Sequence, residues 1–361
     1  MIKNILLFVI LLSIIVSVHE FGHLVAAKLF GVYCKEYSIG MGPKIFSKKG
    51  KETEYCLRAI PVGGFVAMAG DADNQLETSV DTENIPFERT LPGIAVWKRI
   101  IVMMAGIFMN LILAILIYSM LILYNGQYVA SSKPQITSIV EDSPAAISGL
   151  QEGDIVTRIG FSNGLSLAPD SYRELISFTG TYDGNGSWQL TVDRNGETLQ
   201  FEIVPEYYED EQRYLIGIAF SDKAVQIVDV NLVNCWKYGF EYAIFILKLT
   251  WSSFLSLFRG MNLNSVSGPI GIYSTVSEAA SLGIDYYIQL IAMISINVGI
   301  VNALPLPIFD GGRVLLALIE LIIRKPLNEK MQNMIMTASV ILLMLLFFFV
   351  TYNDISKLIG G

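Results

Sequence analysis

The sequence predicts an α-helical polytopic membrane protein with four transmembrane helices, a β-hairpin in one connecting loop and one soluble domain inserted between the second and third spans. Three observations carry that expectation. Of 361 residues, 53% are hydrophobic and only 16% charged, against about 25% charged in soluble domains. Four apolar runs are each long enough, as helices, to cross about 30 Å of hydrocarbon. Between two of them lies a charged, turn-rich stretch of about 100 residues, the size of one domain.

The first run is residues 4–30, NILLFVILLSIIVSVHEFGHLVAAKLF. A cleaved signal peptide is the competing reading. The run is too long for one, only Lys3 precedes it, no A-x-A site follows, and ionisable groups sit inside it. Residues 31–96 are polar and rich in Gly, Pro and β-formers. Within them YCLRAIPVGGFVAMAG, 55–70, reads as two apolar strands joined by a Gly63-Gly64 turn. Residues 97–124 form the second span, with Trp97, Lys98 and Arg99 at one end and Tyr124 at the other, as interfacial residues stand. Residues 125–225 are the inserted domain. Residues 226–283 follow as an amphipathic segment. Its part 226–262, with Lys237, Glu241, Lys248 and Arg259, suits either a helix at the membrane interface or one packed on the soluble domain. The third spanning element, 284–323, is broken at 302–312 by Pro305, Pro307, Gly311 and Gly312. Such breaks are tolerated in membranes where they are buried in protein or line a wet cavity. Residues 331–352 are the last span.

Positive charge sets the orientation. Lys35, Lys44, Lys48, Lys49, Lys51, Arg58 and Arg89 in the first loop, and Arg324, Lys325 and Lys330 between the last two spans, face the cytoplasm. The acid-rich 125–225 domain and both termini then lie outside. A net charge of −8 argues against a nucleic-acid partner. Cys34, Cys56 and Cys235 are odd in number and form no C-x-x-C, so neither a disulfide framework nor a zinc ribbon is indicated.

His19-Glu20-Phe21-Gly22-His23 is an H-E-x-x-H motif that contains both histidines of the chain. On a helix, residues i and i+4 share a face, so both imidazoles reach one metal ion. Glu20 stands where it can accept a proton from a water activated by that metal. Ionisable groups at membrane depth are costly and usually functional. A catalytic zinc takes three protein ligands and an open position. With no third histidine, the third ligand is expected to be a carboxylate in a span: Asp310, Asp285 or Glu320. Asp285 opens its helix and Glu320 lies at a far end beside Arg324. Asp310, in the broken Gly-flanked segment, is the best choice, and a helix cap is its plainer reading. Asn302 precedes the break and can bond an extended backbone or act as helix–helix glue. Asn110, four residues after Gly106, reads more plainly as glue.

In order along the chain stand HEFGH (19–23), PVGGF (61–65), SGPIGI (267–272) and NALPLPIFDGG (302–312). Together they resemble the site-2 protease family of intramembrane zinc metalloproteases, in its bacterial branch, over essentially the whole chain. The resemblance implies zinc ligands His19, His23 and Asp310, one Zn2+ per chain, catalytic Glu20, and a substrate-holding Asn302. It also implies that the hairpin around Gly63 and Gly64 dips into the membrane from the cytoplasmic side and offers an edge strand to an unwound substrate. Departures are Phe309 before Asp310, Ala303-Leu304 within the asparagine motif, and Arg313 where a histidine often follows the double glycine. SPAAISGLQEGDIVTRIGF, 143–161, resembles the PDZ pattern, with Gly149 and Gly153 as turns and Leu150, Ile155, Val156 and Ile159 as core. That implies an extracytoplasmic PDZ-like domain, which either adds a peptide strand to its sheet or only shields the site. The implied activity is peptide-bond hydrolysis within spans of single-span membrane proteins or remnant signal peptides, in the bacterial inner membrane. An inactive scaffold is disfavoured by the intact motifs. A metal transporter is disfavoured by the few polar residues along the spans.

Overall fold

A computed structural model describes residues 2–71, 85–131, 133–209, 213–220, 225–258, 268–323, 325 and 329–360. The chain divides into two compact units, Met1–Ile117 with Ser267–Gly361, and Tyr118–Val266. In chain order, α1 (Ile2–Leu29) leads to β1 (Cys34–Lys49), β2 (Glu54–Met68) and α2 (Val96–Asn125). Then come β3 (Gln127–Ser131), β4 (Ile136–Ile139), α3 (Pro144–Ser148), β5 (Ile155–Phe161), β6 (Ser166–Leu167) and α4 (Tyr172–Thr179). Strands β7 (Trp188–Arg194), β8 (Glu197–Ile203), β9 (Glu206–Tyr208), β10 (Arg213–Leu215), β11 (Ile218–Phe220) and β12 (Val225–Asp229) precede α5 (Cys235–Phe258). The first unit resumes with α6 (Pro269–Leu282), α7 (Ile284–Asn302), α8 (Asp310–Ile323) and α9 (Glu329–Gly360).

Helices α1, α2, α7 and α9 are long and apolar enough to cross a membrane. The broken third element resolves into α7 and α8, with the proline-bearing residues 303–309 between them. Helix α1 is held at both ends. Leu11 and Ile15 pack with Val276 of α6 and with Tyr287, Leu290 and Ile291 of α7. Leu24 and Ala27 pack with Tyr37, Val66, Met68 and Val102. The Tyr287 hydroxyl donates to the Leu7 carbonyl at 2.8 Å, and the Tyr37 hydroxyl donates to the Ser17 carbonyl at 2.8 Å. The histidine-bearing turn lies between these two anchorages.

The hairpin differs from its expectation. Residues 34–39 pair on one side with 64–68 and on the other with 54–57, while 44–49 pair with 54–58. The two arms joined by Gly63-Gly64 therefore do not pair with each other; they flank a third segment. The reversal joining β1 to β2 lies at 50–53, where the Gly50 N–H donates to the Thr53 carbonyl at 2.8 Å. Gly63 does bend the chain, at φ 82°, a conformation that glycine adopts at little cost. A local turn signal reports that bend but not which strand comes alongside. The partner is set by burial of the Phe65–Met68 face.

In the second unit the main sheet has the order β6-β5-β7-β8, and β11 pairs with β4 and β12 with β3. Phe161, Phe178, Trp188, Leu190 and Val192 fill its core. Leu150, Val156 and Ile159 are buried as expected, while Ile155 is half-buried. Ser143 caps α3 by accepting from the Ala146 N–H. Asp154 is fully buried, and Arg194 donates to both of its oxygens at 2.8 Å. Helix α5 packs on this unit: the Ser252 hydroxyl accepts from the Ser166 N–H at 3.0 Å, Lys248 pairs with Asp170, and Tyr238 stacks on Tyr128. The compact unit is thus wider than 125–225. The 226–283 segment is not one element: its described residues hold the end of β12, then α5 and α6, and α6 packs on α1 and α7. The three cysteines are unpaired and buried.

Candidate metal centre

His19 and His23 stand one turn apart on α1, with ring centroids 4.8 Å apart and planes at 82°. Asp310 is the first residue of α8, brought back by the break after α7. Its Oδ2 lies 3.0 Å from His19 Nε2 and 3.3 Å from His23 Nε2. The two Nε2 atoms are 3.2 Å apart. A tetrahedral zinc with bonds of about 2.0–2.1 Å separates its ligand atoms by about 3.3 Å. The triangle therefore has the size that one zinc ion requires.

The hydrogen bonding around the triangle points the same way. His23 Nδ1 lies 2.8 Å from the Val102 carbonyl oxygen. A carbonyl only accepts, so that nitrogen carries a proton, and in the neutral ring Nε2 presents a lone pair to Asp310. Asp310 Oδ2 is buried without a hydrogen bond. A carboxylate oxygen facing imidazole lone pairs in a buried site is repulsive unless a cation stands between them. Two imidazoles and one carboxylate are a catalytic zinc donor set. The oxygen that faces the imidazoles, Oδ2, caps no backbone amide.

A cavity of about 320 Å³ opens on this triangle, lined among others by Glu20, Gly64, Phe65, Asn302, Asp71 and Arg313. Glu20, Asn302 and Gly64 thus share one cleft with the three donors. A methyl group on Gly64 would lie 3.8 Å from the Glu20 side chain. Gly63 is not brought to the cleft and packs on Met41. The other carboxylates considered are elsewhere: Glu320 pairs with Arg99 at 2.8 Å, and Asp285 sits in the first turn of α7.

Two features escaped the sequence reading. A methyl group on Gly106 would lie 2.5 Å from His23 Nε2 and 2.8 Å from His19 Nε2, so α2 runs directly against the donor atoms. Its position as a glycine in an apolar helix signalled a close approach, but not to what. Arg313 lies 3.6 Å from Asp71 at the cleft wall, a pairing across the whole first unit that no local pattern carries.

Comparison with known proteins agrees with this geometry. The family model described as peptidase family M50 matches residues 7–346. The chain is 31% identical to the regulator of sigma-W protease RasP of Bacillus subtilis, covering 99% of both chains. It is 30% identical to proteins named zinc metalloprotease RasP in Shouchella clausii and Bacillus licheniformis, again over 99% of both chains. A match that runs through both the histidine pair and the distant aspartate, with relatives aligned end to end, establishes that the chain belongs to peptidase family M50, the site-2 protease family.

Proposed function

We propose that this chain is a zinc endopeptidase that cuts single-span membrane proteins, anti-sigma factors among them, or remnant signal peptides, within their spans. The observation that carries the reading is the triangle of His19, His23 and Asp310 at one end of a cleft that also holds Glu20. His19 Nε2, His23 Nε2 and Asp310 Oδ2 are the atoms assigned to the metal. Zinc held by these three atoms would supply Lewis acidity for the attack of water on a peptide carbonyl. Glu20 accepts the proton of the attacking water and delivers it to the leaving amine nitrogen. The Asn302 amide holds the substrate backbone beside the cleft. Apolar walls from Val16, Phe65 and Ile308 limit bulk water.

A helical substrate hides its carbonyls in internal hydrogen bonds, so it must unwind before attack. The 64–68 segment runs along the cleft, and an extended substrate pairing with it offsets part of that cost. The glycine pair serves this role unequally in our reading: Gly64 borders the cleft, and Gly63 sets the bend that brings it there. The substrate class is supported by the name of the Bacillus subtilis relative, regulator of sigma-W protease RasP. We further infer that residues 125–225 form a PDZ-like domain, on the 143–161 pattern and the capped α3 with buried Asp154 behind it. In this reading the domain and both termini lie outside the bacterial inner membrane. A cysteine at Ser47 would then react with a thiol reagent only from the cytoplasmic side, and one at Asn195 from outside.

The test compares membrane-bound peptides in cells carrying the wild type and Glu20→Gln. Glutamine keeps the size and polarity of the side chain but accepts no proton. Zinc should stay bound, turnover should fall by about 10²–10⁴-fold, and uncut substrate should co-purify. Cleavage of a spanning substrate at the wild-type rate would sink the mechanism.

A further inference from the structure

We propose that Asn110 is a positioning residue for His19, holding that imidazole by accepting from its Nδ1–H through the side-chain carbonyl oxygen. The inference rests on the reading of His19 as a ligand through Nε2. A neutral imidazole that coordinates through Nε2 carries its proton on Nδ1 and needs an acceptor there. His23 has one in the Val102 carbonyl. For His19 the neighbouring group is the Asn110 amide, whose nitrogen is placed 3.4 Å from His19 Nδ1. In that orientation two donors face each other. The other amide atom, Oδ1, is buried and has no hydrogen-bond partner. A half-turn of the amide exchanges oxygen and nitrogen with little change of shape. It puts the orphaned acceptor against Nδ1–H and relieves both faults together.

The backbone makes this arrangement stiff. Asn110 is fully buried, and its own carbonyl accepts from the Ser295 hydroxyl of α7 at 2.9 Å. Val102, Gly106 and Asn110 are spaced by four on α2, so they share one helix face. The middle residue leaves room for the two Nε2 atoms, as the 2.5 Å and 2.8 Å approaches to Gly106 require. The outer two each meet the far nitrogen of one imidazole. One face of α2 thereby sets the orientation of both rings. Loss of such an outer acceptor typically weakens a metal site by about 10–100-fold.

The test uses purified full-length protein in detergent. Metal is stripped, and zinc affinity is measured by competition with a chelator. A cobalt-loaded sample gives the ligand-field spectrum. Asn110→Leu, of similar size without an acceptor, should bind zinc about 10–100-fold more weakly and shift the cobalt bands. Asn110→Asp, which keeps an acceptor oxygen, should bind at least as tightly as wild type. A role as helix–helix glue alone would lower thermal stability in both variants and leave affinity and spectrum at wild-type values; that result overturns the proposal. If the leucine variant does not fold, Asn110→Ala carries the same comparison. Failure of the wild type itself to hold one zinc would instead overturn the reading of the site.

Discussion

Two clusters of buried acid, histidine and cysteine donors occur in the first unit among the described residues, and they have opposite electrostatics. In the β1–β2 sheet, Glu36 is 1% exposed, and its charge is matched: Arg58 donates to it at 2.7 Å and Lys44 at 2.9 Å. Lys44 also reaches Glu54, at 2.8 Å. In the cleft, Asp310 meets only the two imidazoles among its described ion-pair partners. The sheet cluster brings its own cations and is complete as protein. Among the described ion pairs, the cleft cluster has no Lys or Arg against Asp310, which fits the metal proposed there. Donor atoms within reach of each other are thus not enough to mark a metal site; the missing countercharge is what separates the two.

The contrast can be broken by experiment, most sharply at its extremes. Asp310→Ala should abolish zinc binding and activity together, read as metal content after dialysis, whereas Glu36→Gln should leave metal content unchanged. Retention of full zinc by Asp310→Ala would erase the distinction. Gly106→Ala should also deplete zinc, because its methyl would occupy the space of the donor nitrogens, while the fold persists by circular dichroism. Glu36→Gln should act on stability instead. It leaves Arg58 and Lys44 partly unmatched, a loss of about 3–5 kcal/mol for a broken buried pair, measured by thermal unfolding in detergent. Burial pushes the Glu36 carboxyl up, but hydrogen bonds from Lys44 and Arg58 outweigh it and hold the group below the usual carboxylate range. A lowered folded-state value means stability that is present at neutral pH and is lost as pH falls below about 4.3. Glu36→Gln should flatten that part of the stability curve. The smallest effect is expected at Glu52, whose pair with Arg89 is 44% and 39% exposed. Glu52→Gln should cost under about 1 kcal/mol and less in salt.

How much of this was legible in the sequence depended on how local the information was. The histidine pair was legible because its spacing is one helical turn and the chain has no other histidine. Asp310 was legible by exclusion, since apolar spans leave few carboxylates to choose from. Strand partners were not. Gly63-Gly64 has the local signature of a hairpin, yet its two arms pair with residues 34–39 from opposite sides. Helix α5 was ambiguous for a similar reason. Trp236, Phe240, Trp251 and Leu255 remain exposed on one side while Ser252 and Lys248 are tied to β6 and Asp170. An amphipathic pattern tells that a helix has two sides, not what lies against each. Asn110 shows the same limit: glue and positioning place the same residue at the same depth, and the unpartnered oxygen is the observation that bears on the choice.

The proposed metal triangle would draw its ligands from positions 19, 23 and 310, far apart in the sequence. That spacing has a consequence for biogenesis. A chain emerging from the ribosome carries its histidine pair and Glu20 into the membrane first, and the aspartate only after both the long insertion and α7 have been made. Until then the nascent protein holds two of three donors and cannot retain the ion tightly. Under the metal assignment proposed above, hydrolytic capacity would therefore await the synthesis of α8. An ion bound there would also clip distant parts of the chain together, so its capture should make the first unit harder to pull apart.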